Sequence, residues 1–117
     1  MFGKKKIDID IQDEESLLVI YATRQNICVG RIKCVKRTER ITIGDIQCKK
    51  NNKGYGSAMM LALIDYAKQN EIECIEGWLS SVDGDHRERL YHFYQKFGFE
   101  ITPCKKEMKM ADIKLML

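Results

Sequence analysis

A mixed α/β fold, with helices packed on a mostly antiparallel sheet, is predicted by three observations. The N-terminal half of the 117-residue chain runs in segments of alternating polar and apolar residues joined by short polar turns. Alternation with period two is the mark of a half-buried strand. Two later segments, at residues 56–68 and 86–97, change to helical spacing. With a single proline, no internal repeat and no low-complexity stretch, nothing reads as a linker, so residues 1–117 are expected to form one domain around one core.

The first expected strand, LLVIYAT (17–23), is β-rich and ends at the turn-like RQN. The next, ICVGRIKCV (27–35), puts Arg31 and Lys33 on one face and Gly30, Ile32 and Cys34 on the other. A third, RITIGDIQC (40–48), alternates again, which makes an antiparallel meander. The segment GSAMMLALIDYAK (56–68) is apolar nearly all round and rich in helix formers, which suits a helix buried against a sheet. IECIEGWLS (72–80) returns to strand. In HRERLYHFYQKF (86–97), Leu90, Phe93, Tyr94 and Phe97 form one apolar stripe, and Gly98 is placed to end that helix. FEITP (99–103) and EMKMADIKLML (107–117) finish the chain as strands. The second shifts phase between Met110 and Ile113, which predicts a bulge near Ala111–Asp112. The expected order is strand, strand, strand, helix, strand, helix, strand, strand.

Composition removes several classes of function. Apolar residues make up 44% and charged residues 32%, an ordinary balance for a folded soluble protein. The net charge is only +3 with signs mixed along the chain, so no basic stripe for nucleic acid stands out. No run approaches the roughly 18 apolar residues of a membrane span, and no apolar stretch follows the lysines of MFGKKKIDIDIQDEE to make a secretory leader. The cysteines at 28, 34, 48, 74 and 104 form no CxxC pair, and the histidines at 86 and 92 make a poor zinc set, so no metal is expected. These cysteines read as small, mostly buried residues of a reducing cytoplasm.

The chemistry concentrates in KKNNKGYGSAMM (49–60), where a strand runs through a glycine turn into a helix. Exposed amides and the dipole at a helix N-terminus favour an anion. Gly54 and Gly56 allow close approach of the backbone, Lys49, Lys50 and Lys53 add positive charge, and Ser57 adds a hydroxyl. Phosphate suits such a loop, although solvated lysines before a plain helix start would look the same. Two common phosphate motifs fail: no Gly-Lys pair supplies GxxxxGK[ST], and the sixth position of GxGxxG is Met59.

A third motif fits. NNKGYGSAMM, with ALIDYAK behind it and LYHFYQKFGFEI about thirty residues later, closely resembles the GNAT superfamily of acyl-CoA-dependent N-acyltransferases over roughly residues 17–103. The family's loop, [RQ]-x-x-G-x-[GA], stands here as Asn51-Asn52-Lys53-Gly54-Tyr55-Gly56, with Asn at the first position. Its later Leu-Tyr-x-Lys-x-Gly-Phe stands as Phe93-Tyr94-Gln95-Lys96-Phe97-Gly98-Phe99. The resemblance implies that loop amides hold the pyrophosphate of acetyl-CoA as cosubstrate. It also implies that the preceding strand, at Ile46, Gln47 and Cys48, pairs with the pantetheine arm and supplies an oxyanion donor.

Acyl transfer to an amine also needs a proton acceptor and a donor for the leaving thiolate. The resemblance places Tyr94 as that donor; its position on an apolar stripe also suits a plain core residue. Asp45 is the one acid on the strand before the loop, and alternation groups it with Ile43 and Gln47; it is either the base, directly or through water, or a solvated charge. Gly44 could mark a bulge that opens a cleft for pantetheine. Cys48 has no neighbouring histidine, so direct transfer is expected over an acyl-enzyme. Where many members carry asparagine, seven residues before the tyrosine, this chain has Arg87, which can meet a CoA phosphate or simply be a solvated helix start. Residues 1–16 leave no room for the helices that usually roof the acceptor site, so the pocket for the amine is either open, as suits a peptide or protein, or completed by a partner. The implied function is acetyl transfer to a primary amine; the alternative is a CoA-binding module without turnover or a subunit of a larger assembly with the same fold. The C-terminal strand could also pair across a homodimer.

Overall fold

A computed structural model of the protein describes residues 6–49 and 54–117. The elements run β1 (Asp8–Glu14), β2 (Leu17–Arg24), β3 (Ile27–Lys36), β4 (Arg40–Cys48), α1 (Tyr55–Gln69), β5 (Cys74–Ser80), a 3-10 turn (Ser81–His86), α2 (Arg87–Lys96), β6 (Glu100–Lys106) and β7 (Lys109–Met116). The expected order is present, preceded by β1. In that added strand Ile9 and Ile11 alternate with Asp8, Asp10 and Gln12, a strand pattern written with aspartates that strands otherwise disfavour. Residues 6–49 hold four strands and no helix, and a two-residue turn joins β1 to β2. Among the described residues no helix is long and apolar enough to cross a membrane.

The seven strands form one sheet in the order β1-β2-β3-β4-β5-β7-β6. Neighbours are antiparallel except β4 and β5, which run parallel. The turn between β2 and β3 places both Gln25 and Asn26 at positive φ, 54° and 64°, the handedness that matches the twist of the flanking strands. Between β6 and β7, Met108 takes the positive φ, so it belongs to a turn and not to the strand predicted there. The β7 bulge falls at Met110, one residue before its expected place: Lys109 pairs with Ser80 and Ala111 with Leu79. Because β7 is hydrogen-bonded to β5 on one side and β6 on the other, both its edges are taken, and the pairing across a dimer expected of it has no free edge to use.

The core lies between the sheet and α1. Leu18, Ile20, Ile32 and Ile41 are fully buried, as are Met59, Met60, Leu63 and Ala67 on the helix. Each large side chain so buried contributes about 1.5–3 kcal/mol relative to exposure. The opposite side of α1 is not covered, and Leu61 is 59% exposed. α2 joins the same cluster through Tyr94, which packs edge-on against Phe99. Its end is as expected: Gly98, at φ 95°, returns its N–H to the Gln95 carbonyl at 2.9 Å. The cysteines are less uniformly buried than their residue type suggests. Cys34 and Cys74 are in the core, Cys48 and Cys104 are half-buried, Cys28 is exposed, and all are free thiols.

Candidate active site

The one parallel pairing in the sheet is short. β4 and β5 are in register only from Arg40–Cys74 to Thr42–Glu76, and beyond that they diverge. The cause lies in β4. Its register with β3 runs Lys33–Asp45 and then Cys34–Ile43, so Gly44 is the extra residue of a bulge, as expected. At the branch point β5 carries Gly77, where an added Cβ would stand 3.2 Å from the Ile43 carbonyl oxygen. From Ile43 to Cys48, β4 keeps β3 on one side and has no strand on the other. Backbone amides and carbonyls therefore face a cleft in the middle of a sheet, where an extended polyamide can complete the ladder.

The bulge also decides which side chains enter which face. Ile43, Ile46 and Cys48 lie opposite Cys34, Ile32 and Gly30, on the helix-covered side. Asp45 and Gln47 lie opposite Lys33 and Arg31 and are exposed on the other side. Asp45 thus shares a face with Gln47 as expected but not with Ile43, because the additional residue at Gly44 reverses the alternation between them. Arg31 carries one buried polar atom without a partner, its Nε.

At the end of the cleft stands the start of α1. Gly54 caps it at φ 79° and ψ 4°, a left-handed conformation, with no side-chain cap and no acidic residue in the first turn. Asn51, Asn52 and Lys53 lie outside the described residues. Tyr55 is turned inward, 5% exposed, and its hydroxyl accepts a hydrogen bond from Arg24 Nη1 at 3.1 Å. Gly56 packs so closely on α2 that a Cβ there would meet Phe93 at 3.3 Å and Cys48 Sγ at 3.8 Å. The Ser57 hydroxyl accepts a hydrogen bond from Lys96 Nζ at 2.8 Å.

These contacts bring the two separated motifs together, one on each helix. Tyr94 lies between Phe93 and Phe99, edge-on to both at 5.2 and 5.4 Å between ring centres, and is 5% exposed. Burial pushes the Cys48 thiol above its ordinary range, so it is not a ready nucleophile at neutral pH. Arg87 opens α2 and is exposed; it lines a groove with Ser81, Tyr91, Cys104 and Met110. Among the described residues no group of three or more His, Cys, Asp or Glu side chains is arranged to hold a metal. Trp78 drew no attention in the sequence, yet it stands 52% exposed on β5 past the point where the strands part, with Lys109 Nζ 5.9 Å above its ring. Nothing in a lone tryptophan within an apolar strand marks it as outward-facing.

The sequence matches the model of the Acetyltransferase (GNAT) family over residues 2–99. The chain belongs to that family. The match spans both the glycine loop and the Tyr94 signature. An uncharacterised protein of Bacillus subtilis, YocC, is 37% identical over 65 residues, 56% of this chain and 39% of that protein, so the chain corresponds to well under half of that relative. Two crystal structures share the GNAT fold at lower identity. A Bacillus subtilis acetyltransferase in complex with CoA superposes with a TM-score of 0.76 at 18% identity, covering 96% of this chain and 99% of that one. A GNAT family acetyltransferase from Elizabethkingia anophelis with acetyl-CoA bound gives 0.75 at 16% identity, covering 97% and 100%.

Proposed function

We propose that the protein is an acetyl-CoA-dependent N-acetyltransferase that passes acetyl directly to a primary amine. The observation that carries this reading is the cleft between β4 and β5, whose unpaired strand edge leads to a helix N-terminus with no side-chain cap among the described residues. Family membership and the CoA and acetyl-CoA complexes of similarly folded proteins support it. In this reading the pantetheine arm pairs with β4 at Ile46, Gln47 and Cys48. The pyrophosphate rests on the amides of the loop from Asn51 to Gly56 and on the first turn at Ser57. Arg87, exposed at the start of α2, is a further cation for a CoA phosphate.

The amine nitrogen attacks the thioester carbonyl, and an N–H of β4 supports the oxygen as it gains charge. The amine proton passes to Asp45 or to water, and the departing thiolate takes a proton from the Tyr94 phenol. The exposure of Asp45 on the helix-free face is compatible with an acceptor that arrives from that side. Four strands and no helix in residues 6–49 leave that approach wide, which suits a peptide or protein amine.

The burial of Tyr94 between two phenylalanines favours a second reading, a CoA-binding module without turnover. Tyr94→Phe separates the two, because it keeps the ring and removes the proton. Calorimetry with acetyl-CoA, followed by an amine screen on the wild type and this variant, is the test. The enzyme reading expects unchanged acetyl-CoA affinity and turnover lowered about a hundredfold or more. Equal turnover in both proteins would remove Tyr94 from the chemistry. Absence of acetyl-CoA binding by the wild type would overturn the function as a whole.

A further inference from the structure

The helix-free face of the sheet carries a cation that no ion pair among the described residues answers. Arg31 lies on β3, opposite Tyr21 of β2 and Gln47 of β4. It is half-buried, and its Nε is wholly buried with no hydrogen-bond partner. The ion pairs among the described residues join Lys36 to Asp13, Arg40 to Glu76 and Lys109 to Asp112, and none involves Arg31. The acid nearest along the ladder is Asp45, but it stands opposite Lys33, one pair further on. This part of the face therefore holds two cations, Arg31 and Lys33, beside one carboxylate.

A guanidinium stays charged at any ordinary pH, and a buried donor left unpaired costs about 1–3 kcal/mol. Packing against its neighbours, not a salt bridge, holds this side chain in place. The complement of a held guanidinium is a carboxylate, whose two oxygens match two N–H groups of the planar fork. The position suits a ligand. Side chains directly opposite on paired strands stand about 4.5–5.5 Å apart at Cβ, so Arg31 is one such step from Gln47 on the strand that borders the cleft. It shares the helix-free face with Asp45, the group read above as able to take the amine proton. A cation and an anion on adjacent strands match an amine and a carboxylate of a single molecule.

We infer that Arg31 binds a carboxylate of the acceptor, so that the amines this protein acetylates carry an acidic group close to the reacting nitrogen. The inference deepens the acetyl-CoA reading above and rests on it. The carboxylate belongs either to a free amino acid or to an acidic side chain beside the N-terminus of a peptide, and both offer the same contact to the fork. A polyamine brings only further positive charge towards Arg31 and Lys33, and is disfavoured.

The test uses the whole chain with acetyl-CoA and two matched pairs of acceptors. Alanine is compared with alaninamide, and a short peptide with glutamate after its N-terminal residue is compared with its glutamine counterpart. Arg31→Met keeps an unbranched stem and removes the charge; Arg31→Lys keeps the charge without the fork. Arg31→Met is expected to lose about tenfold or more in kcat/KM on the carboxylate-bearing member of at least one pair, through KM and not through kcat, and to lose with it the preference over the neutral member. Arg31→Lys is expected to keep part of that preference. A loss confined to alanine identifies a free amino acid as acceptor, and one confined to the glutamate peptide identifies an acidic peptide. The melting temperature of Arg31→Met is expected to equal or exceed that of the wild type, since an unpaired buried donor is removed. Equal KM of wild type and Arg31→Met on both carboxylate-bearing acceptors overturns the inference. So does a loss shared equally by the neutral members, which marks a packing role, and so does a wild type that binds acetyl-CoA but acetylates neither carboxylate-bearing acceptor. A wild type that binds no acetyl-CoA overturns the acetyl-CoA reading, and the inference with it.

Discussion

A methyl group at position 30 would stand 2.9 Å from Cε of Met59 and 3.0 Å from the carbonyl oxygen of Gln47. The methionine end can swing away, but the carbonyl belongs to β4, the strand whose other edge borders the cleft. Gly30→Ala is therefore expected to cost roughly 2 kcal/mol, the scale of overpacking a tight core, and to weaken acetyl-CoA binding by displacing β4. Gly54→Ala makes the opposite case. Its methyl would meet nothing within 4 Å, but φ stays at 79°, so the expected cost is backbone strain of about 1 kcal/mol. Chemical denaturation of both variants checks the order. If Gly54→Ala proved the more destabilising, crowding would not be what selects glycine at position 30. Lys96 and Asp45 illustrate what side-chain identity alone withholds. The signature containing Lys96 was plain in the sequence, but its reach to Ser57 depends on how two distant helices pack. The face of Asp45 depends on a single added residue at Gly44.

Among elements, β1 is the one the sequence concealed. Its isoleucines alternate correctly, but aspartates fill the other positions, and its membership of the sheet depends on partners far along the chain. Asp13 near its end accepts hydrogen bonds from Lys36 Nζ on β3 and from the Tyr66 hydroxyl on α1, and Lys36 also donates to Tyr66 at 3.2 Å. These bonds tie the edge strand to the third strand and the first helix. The Lys36 hydrogen bond, followed by that of Tyr66, holds the Asp13 carboxyl below its ordinary range. A lowered folded value means that the carboxylate form stabilises the fold. Its contribution is complete above the usual aspartate range and disappears as pH falls through the lower folded value. Lys36 is raised chiefly by the same bond, so its share is complete below the usual lysine range and is lost only at strongly alkaline pH. Asp13→Asn is expected to lower stability at neutral pH by less than about 1 kcal/mol, since both partners are partly exposed. Its unfolding curve should also lose part of the acid-side slope. Equal slopes for the two proteins between pH 2 and 5 would mean that Asp13 is not coupled to folding. The remaining elements were legible because their periods are clean; the bulge in β7 was displaced by one residue because phase alone does not say which residue is the extra one.

At the scale of the molecule, the fold is one sheet with an opening in its middle. The parallel pairing of three residues between β4 and β5 keeps the two halves together, and everything beyond it is open. Open edges invite association, and sheets usually protect them. Here the opening is flanked by the β4 bulge and ends at an uncapped helix start, so the ligand expected to fill it is one that offers amides first and phosphate last. That ordering is directly measurable. In the free protein, the amides between Ile43 and Cys48 that point away from β3 have no partner strand and should exchange with solvent quickly, while those pointing towards β3 are protected. Saturating acetyl-CoA should slow the first group and leave the paired amides between β6 and β7 unchanged, because β5 separates that hairpin from the β4 edge. Residue-resolved hydrogen exchange with and without ligand distinguishes this from a general tightening, which would slow the whole sheet together. Protection confined to the α1 start, with none gained along β4, would mean that phosphate binds but that no arm lies along the strand, and the acetyl group would then have no path to Tyr94.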